Sequence, residues 1–114
     1  MPHEKYQDCI EACNDCAVEC KHCAAACLQE DDVKSMIGCI ELDRDCAHIC
    51  YTASSFMASG SEFAEDICRL CAEICRACAE ECRKYDNDHC QRCADACERC
   101  AKECEKMAAM PAGR

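Results

Sequence analysis

Residues 9–27 read CIEACNDCAVECKHCAAAC, and their cysteines recur at alternating steps of four and three residues. Steps that average about 3.5 residues keep side chains on one stripe of an α-helix. The intervening residues include Ala, Glu and Lys, which favour helix, and contain no Gly or Pro. Metal sites carried on loops do not keep such regular spacing. The stretch therefore predicts a helix with one face lined by sulfur.

The same spacing recurs in three more runs along the chain, of which the second is sparser than the others. The cysteines of the four runs are Cys9, Cys13, Cys16, Cys20, Cys23, Cys27, Cys39, Cys46, Cys50, Cys68, Cys71, Cys75, Cys78, Cys82, Cys90, Cys93, Cys97, Cys100 and Cys104. Turn-forming residues at 59–61 and 86–88 interrupt the spacing. We therefore predict helices over residues 4–29, 32–57, 62–85 and 88–108.

Short connections make consecutive helices antiparallel neighbours, and four helices with one cysteine stripe each can bury those stripes together. The expected fold class is all-α. The expected architecture is an antiparallel up-down-up-down four-helix bundle with a Cys-lined core, formed as a single domain over residues 1–114.

The composition agrees with an interior filled by sulfur rather than by branched aliphatic side chains. Of 114 residues, 19 are Cys and 18 are Ala, whereas Leu, Ile, Val and Phe together number 13.

A net charge of −10 offers no electrostatic basis for binding nucleic acid, and no stretch has the ~20 apolar residues of a membrane span. The start of the chain has no export signal. We therefore expect a cytoplasmic protein whose thiols stay reduced.

A second apolar stripe runs beside the cysteines on two of the predicted helices. Its members are Phe63, Ile67, Leu70, Ile74 and Ala77 on the third helix, and Val33, Ile37, Ile40, Leu42, Ile49 and Phe56 on the two flanks of the second. These side chains either seal the seams between helices or face outward as a subunit interface. The second possibility predicts a homo-oligomer.

So many cysteines in register indicate metal binding rather than packing, because Ala or Leu would fill the same stripe without the risk of oxidation. Disulfides between neighbours along one run are disfavoured. The Cβ atoms of residues three or four apart on a helix are about 5–6 Å apart, whereas a disulfide needs about 3.5–4.5 Å. Two sulfurs that flank one metal ion lie roughly 4.5 Å apart, which side-chain rotation can reach.

Charge then favours Cu(I) as the metal. A thiol that exchanges its proton for a monovalent cation leaves the interior neutral, whereas four Cys₄ zinc sites would leave about eight uncompensated negative charges there. Soft thiolates select Cu(I) among the biological monovalent ions. If each ion takes about two sulfurs and each sulfur bridges about two ions, loading approaches one Cu(I) per Cys, on the order of twenty ions per chain.

Two other sulfur chemistries fit less well. No ferredoxin-like C-x₂-C-x₂-C run occurs in the sequence. Redox catalysis needs one exposed thiol of low pKa, which so many equivalent cysteines do not resemble. The chain is therefore not expected to be an enzyme.

Asp43 occupies the stripe position between Cys39 and Cys46. One interpretation is a carboxylate at the edge of a seam, paired with Arg44 or solvent. The other is an oxygen ligand or hydrogen-bond acceptor where a sulfur is missing.

Methionine and histidine extend the stripes toward the two ends of the bundle. The antiparallel topology places Met57, Met107 and His3 with Tyr6 at one end, and Met36 and His89 at the other. Thioether and imidazole groups are reasonable transient ligands for incoming Cu(I), although gap-filling methionines and solvated histidines would look the same. His22 and His48 fall off the stripe and are predicted to be surface residues.

The cysteine spacing over residues 9–104 resembles that of the four-helix-bundle copper-storage proteins (Csp), which carry CxxxC and CxxC runs on all four helices. It is most similar to the cytosolic branch, which lacks an export signal and has more cysteines. The resemblance implies many Cu(I) ions inside each bundle, ligated by the cysteines named above. It also implies a homo-oligomer, typically a tetramer. The second helix departs from the family pattern because it carries fewer cysteines than the other three.

The sequence thus predicts a non-catalytic Cu(I) store or buffer that exchanges protons for copper. Release would need competing small thiols or a copper chaperone. Two alternatives stay open. One is a metallothionein-like protein that buffers or detoxifies zinc and heavy metals, and the other is a structural bundle with redox-active thiols.

Overall fold

The computed structural model describes residues 2–109, with side chains from residue 4 onward. The helices are α1 (Pro2–Lys5), α2 (Gln7–Cys27), α3 (Ile37–Ala58), α4 (Ala64–Cys82) and α5 (Asp88–Ala109), and a 3₁₀ turn (Val33–Met36) precedes α3. The four long helices confirm the predicted all-α bundle.

The helix boundaries follow local hydrogen bonding. The predicted start of the second helix is instead a 3₁₀ turn, in which the Ser35 hydroxyl donates to the carbonyl oxygen of Asp32 at 2.8 Å. Between α3 and α4, Gly60 adopts a φ of 66°, a conformation that glycine reaches without a Cβ penalty. The amide of Phe63 then donates to Ser61 Oγ at 3.0 Å, so that α4 begins at Ala64.

Consecutive long helices pack side by side, and α5 returns to α2 to close the bundle. Cys9 near the start of α2 lies 3.6 Å, sulfur to sulfur, from Cys104 near the end of α5. Cys39 near the start of α3 lies 3.4 Å from Cys82 at the end of α4. These two pairs show that α2 runs antiparallel to α5 and that α3 runs antiparallel to α4. The bundle measures 50 × 18 × 17 Å.

The core consists mainly of cysteine and alanine. Each of the 19 cysteines is at most 1% exposed. Among the described residues, the larger apolar members of the same buried cluster are Tyr6, Met36 and Met57. Small side chains let four helices approach closely, so that sulfur takes the place of the usual branched aliphatics.

The aliphatic side chains beside the cysteines divide between the two predicted roles. Those that pack against the core and seal the seams are Ile40, Leu42, Ile49, Ile67 and Ile74. Ile37, Phe63 and Leu70 are 52%, 55% and 43% exposed, so they face outward.

Exposed ion pairs connect α5 to its two neighbours. They are Arg76–Glu105, Arg83–Asp95 and Arg83–Glu98 on the α4 side, and Arg92–Glu19 and Arg99–Asp15 on the α2 side. Because solvent screens these pairs, each contributes little to stability. No helix within residues 2–109 combines the length and apolarity needed to span a membrane.

Candidate metal centre

A continuous column of thiols runs along the bundle axis. Every cysteine is a free thiol and is buried. Neighbouring sulfurs hydrogen-bond along and across helices, at Sγ–Sγ distances from 3.4 Å for Cys39 and Cys82 to 4.0 Å for Cys93 and Cys97. The cysteine stripes predicted for the four helices therefore face one another in a common core.

The thiols form overlapping groups of four. In each group the sulfurs lie within 4.8 Å of one another, and the groups include Cys13/Cys71/Cys100/Cys104, Cys16/Cys46/Cys50/Cys75, Cys16/Cys20/Cys46/Cys97, Cys20/Cys78/Cys93/Cys97 and Cys23/Cys27/Cys39/Cys90. Because several cysteines belong to two groups, one sulfur can bridge two metal ions. The arrangement suits a chain of linked thiolate clusters better than isolated sites.

Asp43 lies inside this column and not at the edge of a seam, so the interpretation that pairs it with Arg44 or solvent is wrong. Its side chain is completely buried. Oδ1 accepts hydrogen bonds from the thiols of Cys78 (3.2 Å) and Cys93 (3.3 Å). Position 43 lies on the buried stripe of the helix. The polar side chain tolerates this burial because the surrounding thiols donate hydrogen bonds to its oxygens.

Burial, reinforced by the nearby Cys93 and Cys78, raises the pKa of Asp43 to about 11. The carboxyl group is therefore protonated at neutral pH in the metal-free bundle. A neutral acid avoids the cost of an unpaired charge in a dry interior. It also supplies an oxygen that can become an anionic donor when a cation arrives.

Acidity is uneven along the thiol network. Burial raises the pKa of Cys27 to about 11, whereas hydrogen bonds from Cys23 and then Cys82 lower the pKa of Cys39 to about 4. Hydrogen bonds from neighbouring thiols thus stabilise negative charge at Cys39, whereas burial disfavours it at Cys27. A metal ion that binds the column must displace the protons that remain.

One end of the column, which we call the His89 end, combines imidazole with sulfur. His89 Nδ1 lies 3.5 Å from Cys90 Sγ, 3.7 Å from Cys23 Sγ and 3.8 Å from Cys27 Sγ. The ring is half-buried, and its other nitrogen faces Glu30 at 3.1 Å. The structure therefore brings His89, one of the two candidate residues for this end, into contact with three cysteines.

The other non-cysteine candidates have different settings. Met36 and Met57 are completely buried in the core cluster, at opposite ends of the α3 stripe. Met107 is partly buried and packs against the core. The side chain of His3 lies outside the described residues. His22 and His48 are exposed, as predicted for residues off the stripe.

Two features of the site were not predicted as functional. Ala53 is completely buried on the α3 stripe, three residues after Cys50 and four before Met57, so it marks a position without sulfur. The regular spacing could have identified it. Glu30 lies in an irregular connection beside His89, and no sequence pattern pointed to it.

A slender four-helix bundle filled by a column of reduced thiols defines a class of protein, a cysteine-rich store for soft metal ions. The sequence profile of the Csp family, described as copper storage protein, matches residues 2–109. The chain belongs to this family.

Solved structures of related proteins have the same fold. The metal-free copper storage protein 3 from Bacillus subtilis is 51% identical and superposes with a TM-score of 0.84 over 90% of this chain and 98% of that one. The Cu(I)-bound copper storage protein BsCsp3 is 52% identical, with a TM-score of 0.87 over 90% and 97% of the two chains. A cytosolic copper storage protein from Streptomyces lividans, solved with five coppers, is 33% identical, with a TM-score of 0.91 over 96% and 97%.

The family and the site together establish the general function. The protein is a copper storage protein that binds multiple Cu(I) ions through its core cysteines, and it is not an enzyme.

Proposed function

We propose that the bundle holds about one Cu(I) per cysteine, on the order of twenty ions, as bridged thiolate clusters along its axis. The observation that carries this capacity is the unbroken column of buried thiols in overlapping groups of four. In the metal-free bundle the sulfurs are 3.4 to 4.0 Å apart, slightly less than the roughly 4.5 Å that two sulfurs flanking one ion require. Small side-chain rotations supply the difference.

Charge balance supports Cu(I) at this loading. Each ion that replaces one thiol proton leaves the charge of the interior unchanged, so the low-dielectric core can fill without a growing penalty. We assign all of the cysteines named above as ligands on this basis. Asp43 and His89 add an oxygen and a nitrogen donor, since both contact the thiols directly.

The methionines and His3 have transient roles in this proposal. Met36 and Met57 lie at opposite ends of α3, and Met107 lies near the end of α5. Thioethers at these positions can pass Cu(I) to the first thiols without binding it tightly. His3 precedes α2 at the Met107 end.

A zinc or heavy-metal buffer of metallothionein type is the second candidate. The groups of four sulfurs within 4.8 Å of one another favour it, because tetrahedral thiolate sites also suit Zn²⁺. Filled zinc sites would leave negative charge in the core, however, so we rank this candidate below copper storage.

The cellular role follows from the same chemistry. The resemblance to the cytosolic copper storage protein from S. lividans supports a cytosolic location for this store, where thiols stay reduced. Release then depends on competing small thiols or on a copper chaperone. Ile37, Phe63 and Leu70 are exposed apolar side chains that a homo-oligomer, which we take to be a tetramer, could cover. Sedimentation of the metal-free and loaded protein tests this assembly, and a monomer at all concentrations would exclude it.

An anaerobic titration with a competing chelator tests the function. Cu(I) and Zn²⁺ are added separately, and the ions retained per chain are counted. About one tightly held Cu(I) per cysteine with weak zinc binding is the expected result. Tight zinc at about one ion per four cysteines would instead establish the second candidate, and negligible binding of both would leave a structural bundle.

A further inference from the structure

A polar cluster beside the thiol column joins two connections at the His89 end. Glu30 lies in the connection that follows α2, Asn87 immediately precedes α5, and His89 lies in the first turn of α5. The side chains of Glu30 and Asn87 contact no cysteine among the described hydrogen bonds. Glu30 nevertheless contacts His89, and Asn87 contacts Glu30, so the two residues determine what His89 can do.

The imidazole of His89 lies between a carboxylate and three thiols. Glu30 Oε2 lies 3.1 Å from His89 Nε2 and accepts a second hydrogen bond from Asn87 Nδ2 at 2.5 Å. The opposite nitrogen, Nδ1, faces Cys23, Cys27 and Cys90 at 3.5 to 3.8 Å. The two ring nitrogens therefore have different partners.

A neutral imidazole carries its proton on one nitrogen only, and an ionised carboxylate can only accept a hydrogen bond. With Glu30 beside it, Nε2 must be the protonated nitrogen. The lone pair of Nδ1 then points toward the thiols. In the other tautomer, lone pairs on Nε2 and Oε2 would oppose each other, and Nδ1 would present a proton where a metal ion must bind.

We propose that Glu30 is a positioning residue that fixes the Nε2–H tautomer of His89 and so keeps Nδ1 free to bind incoming Cu(I). The inference rests on the proposed role of His89 as a ligand. It adds Glu30 as the residue that keeps His89 able to bind Cu(I). A carboxylate or carbonyl partner on the second nitrogen orients metal-binding histidines in the same way, and its loss costs about 10–100-fold in affinity or activity.

The surrounding contacts hold this arrangement in place. The side chains of His89 and Glu30 are 15% and 32% exposed, so neither moves freely in solvent. The Asn87 carbonyl accepts hydrogen bonds from the amides of Cys90 and Gln91 at 3.0 and 3.1 Å, which ties Asn87 to the start of α5. Asn87 thereby aligns the Glu30 carboxylate before copper arrives.

A purely structural role, in which Glu30 only ties two connections together, makes different predictions. The comparison uses Glu30→Ala, His89→Ala, the double variant and Glu19→Ala. Glu19 is a matched control because it also links the α2 side to α5, through Arg92 at 3.2 Å, and is about as exposed as Glu30. Glu30→Gln provides a second variant that retains the size of the side chain.

The first readout is the tautomer itself, measured in metal-free protein by long-range ¹H–¹⁵N NMR at alkaline pH, where imidazole is neutral. The chain has four histidines, and His89→Ala identifies the signal. We expect Nε2–H in the native protein and in Glu30→Gln, whose amide oxygen still accepts a hydrogen bond, and a substantial Nδ1–H population in Glu30→Ala. An Nδ1–H native form, or a tautomer unchanged in Glu30→Ala, would overturn the inference.

The second readout is the rate at which the first equivalent of Cu(I) is taken from a chromophoric chelator complex. We expect uptake about tenfold slower in Glu30→Ala, equally slow in His89→Ala, no slower in the double variant, and unchanged in Glu19→Ala. Equal slowing in Glu19→Ala, additive slowing in the double variant, or native uptake by His89→Ala would each contradict the proposal. A failure of the storage function itself would appear separately, as a low copper capacity of the native protein.

Discussion

The carboxyl oxygen Oδ1 of Asp43 lies 3.2 Å from the sulfur of Cys78, on the axis of the bundle. An ionisable oxygen donor thus stands in the middle of a column of thiols, at the position where the α3 stripe lacks a cysteine. Because the carboxyl is neutral before loading, it costs the metal-free fold less than a carboxylate would. Its protonation nevertheless makes the stability of the metal-free bundle depend on pH.

Replacing Asp43 with Asn should remove the part of that pH dependence that comes from the buried carboxyl group. The pKa of Asp43 is raised from 3.8 to about 11 in the fold, so above pH ~4 the unfolded chain loses a proton that the folded chain retains. The contribution of Asp43 to the free energy of unfolding should therefore fall as pH rises from 5 to 7, by up to about 1.4 kcal/mol per unit, and it opposes the contribution of Cys39, whose lowered pKa of about 4 makes stability rise with pH in this range. In anaerobic urea denaturation across this range, the stability of Asp43→Asn should fall less, or rise more, with pH than that of the native protein.

Asp45→Asn is the matched control, because Asp45 is an exposed neighbour on α3. Its stability should follow the native pH profile. If the stability of Asp43→Asn followed the same pH profile as that of the native protein, the Asp43 carboxyl would not retain its proton in the fold.

Met36 should act in the metal-free protein through packing and not through its sulfur. It is completely buried next to the start of α3. Met36→Ala should lose about 2–5 kcal/mol of unfolding free energy because it leaves a cavity, whereas Met36→Leu should lose less than about 1.5 kcal/mol. Chemical denaturation measures both.

Copper uptake by Met36→Leu separates the two proposed roles of this methionine. The folded variant should take up its first Cu(I) more slowly if the thioether is a transient ligand. Native uptake kinetics in a stably folded Met36→Leu would restrict Met36 to packing.

The sequence predicted the bundle and the sulfur column because both depend on one strong periodicity. Cysteine at alternating three- and four-residue steps specifies which face of each helix is buried, and the structure buries all of those residues. The same spacing located Asp43 on the stripe but left its environment open, since a carboxylate usually avoids a dry core. Periodicity reports position, whereas the protonation of a buried acid depends on partners from other helices, here Cys78 on α4 and Cys93 on α5.

The connections were harder to predict than the helices. Glu30 and Asn87 are far apart in sequence and meet because two loops converge at one end of the bundle. No helical spacing relates them. The 3₁₀ turn before α3 likewise depends on the local hydrogen bond between Ser35 and Asp32. Such features follow from tertiary geometry, which the pattern of one chain segment does not contain.

Adding a thiol at the empty stripe position should raise the copper capacity. Ala53 is completely buried at the place in α3 where the spacing would put another cysteine. Ala53→Cys should hold about one additional Cu(I) against a competing chelator, because a further bridging sulfur extends the cluster. Ala77→Cys, on the exposed face of α4, is the control and should lose its extra ion to the chelator. Equal capacity in Ala53→Cys and the native protein would show that the clusters do not extend to this level of the bundle.

Loading should release about one proton per Cu(I) when averaged over the whole titration. The buried thiols share protons in a network whose interior tolerates little net charge, so each bound cation must displace one. Burial that raises the pKa of Cys27 to about 11 keeps its proton in place until copper arrives. Copper affinity should accordingly weaken as pH falls, since protons compete for the sulfurs. A pH-stat titration in unbuffered anaerobic solution counts the protons directly, and Zn²⁺ serves as the comparison ion because a Cys₄ site releases up to about four protons per metal. Release of two or more protons per Cu(I) would mean that charge accumulates in the core and that the neutral-exchange mechanism is wrong.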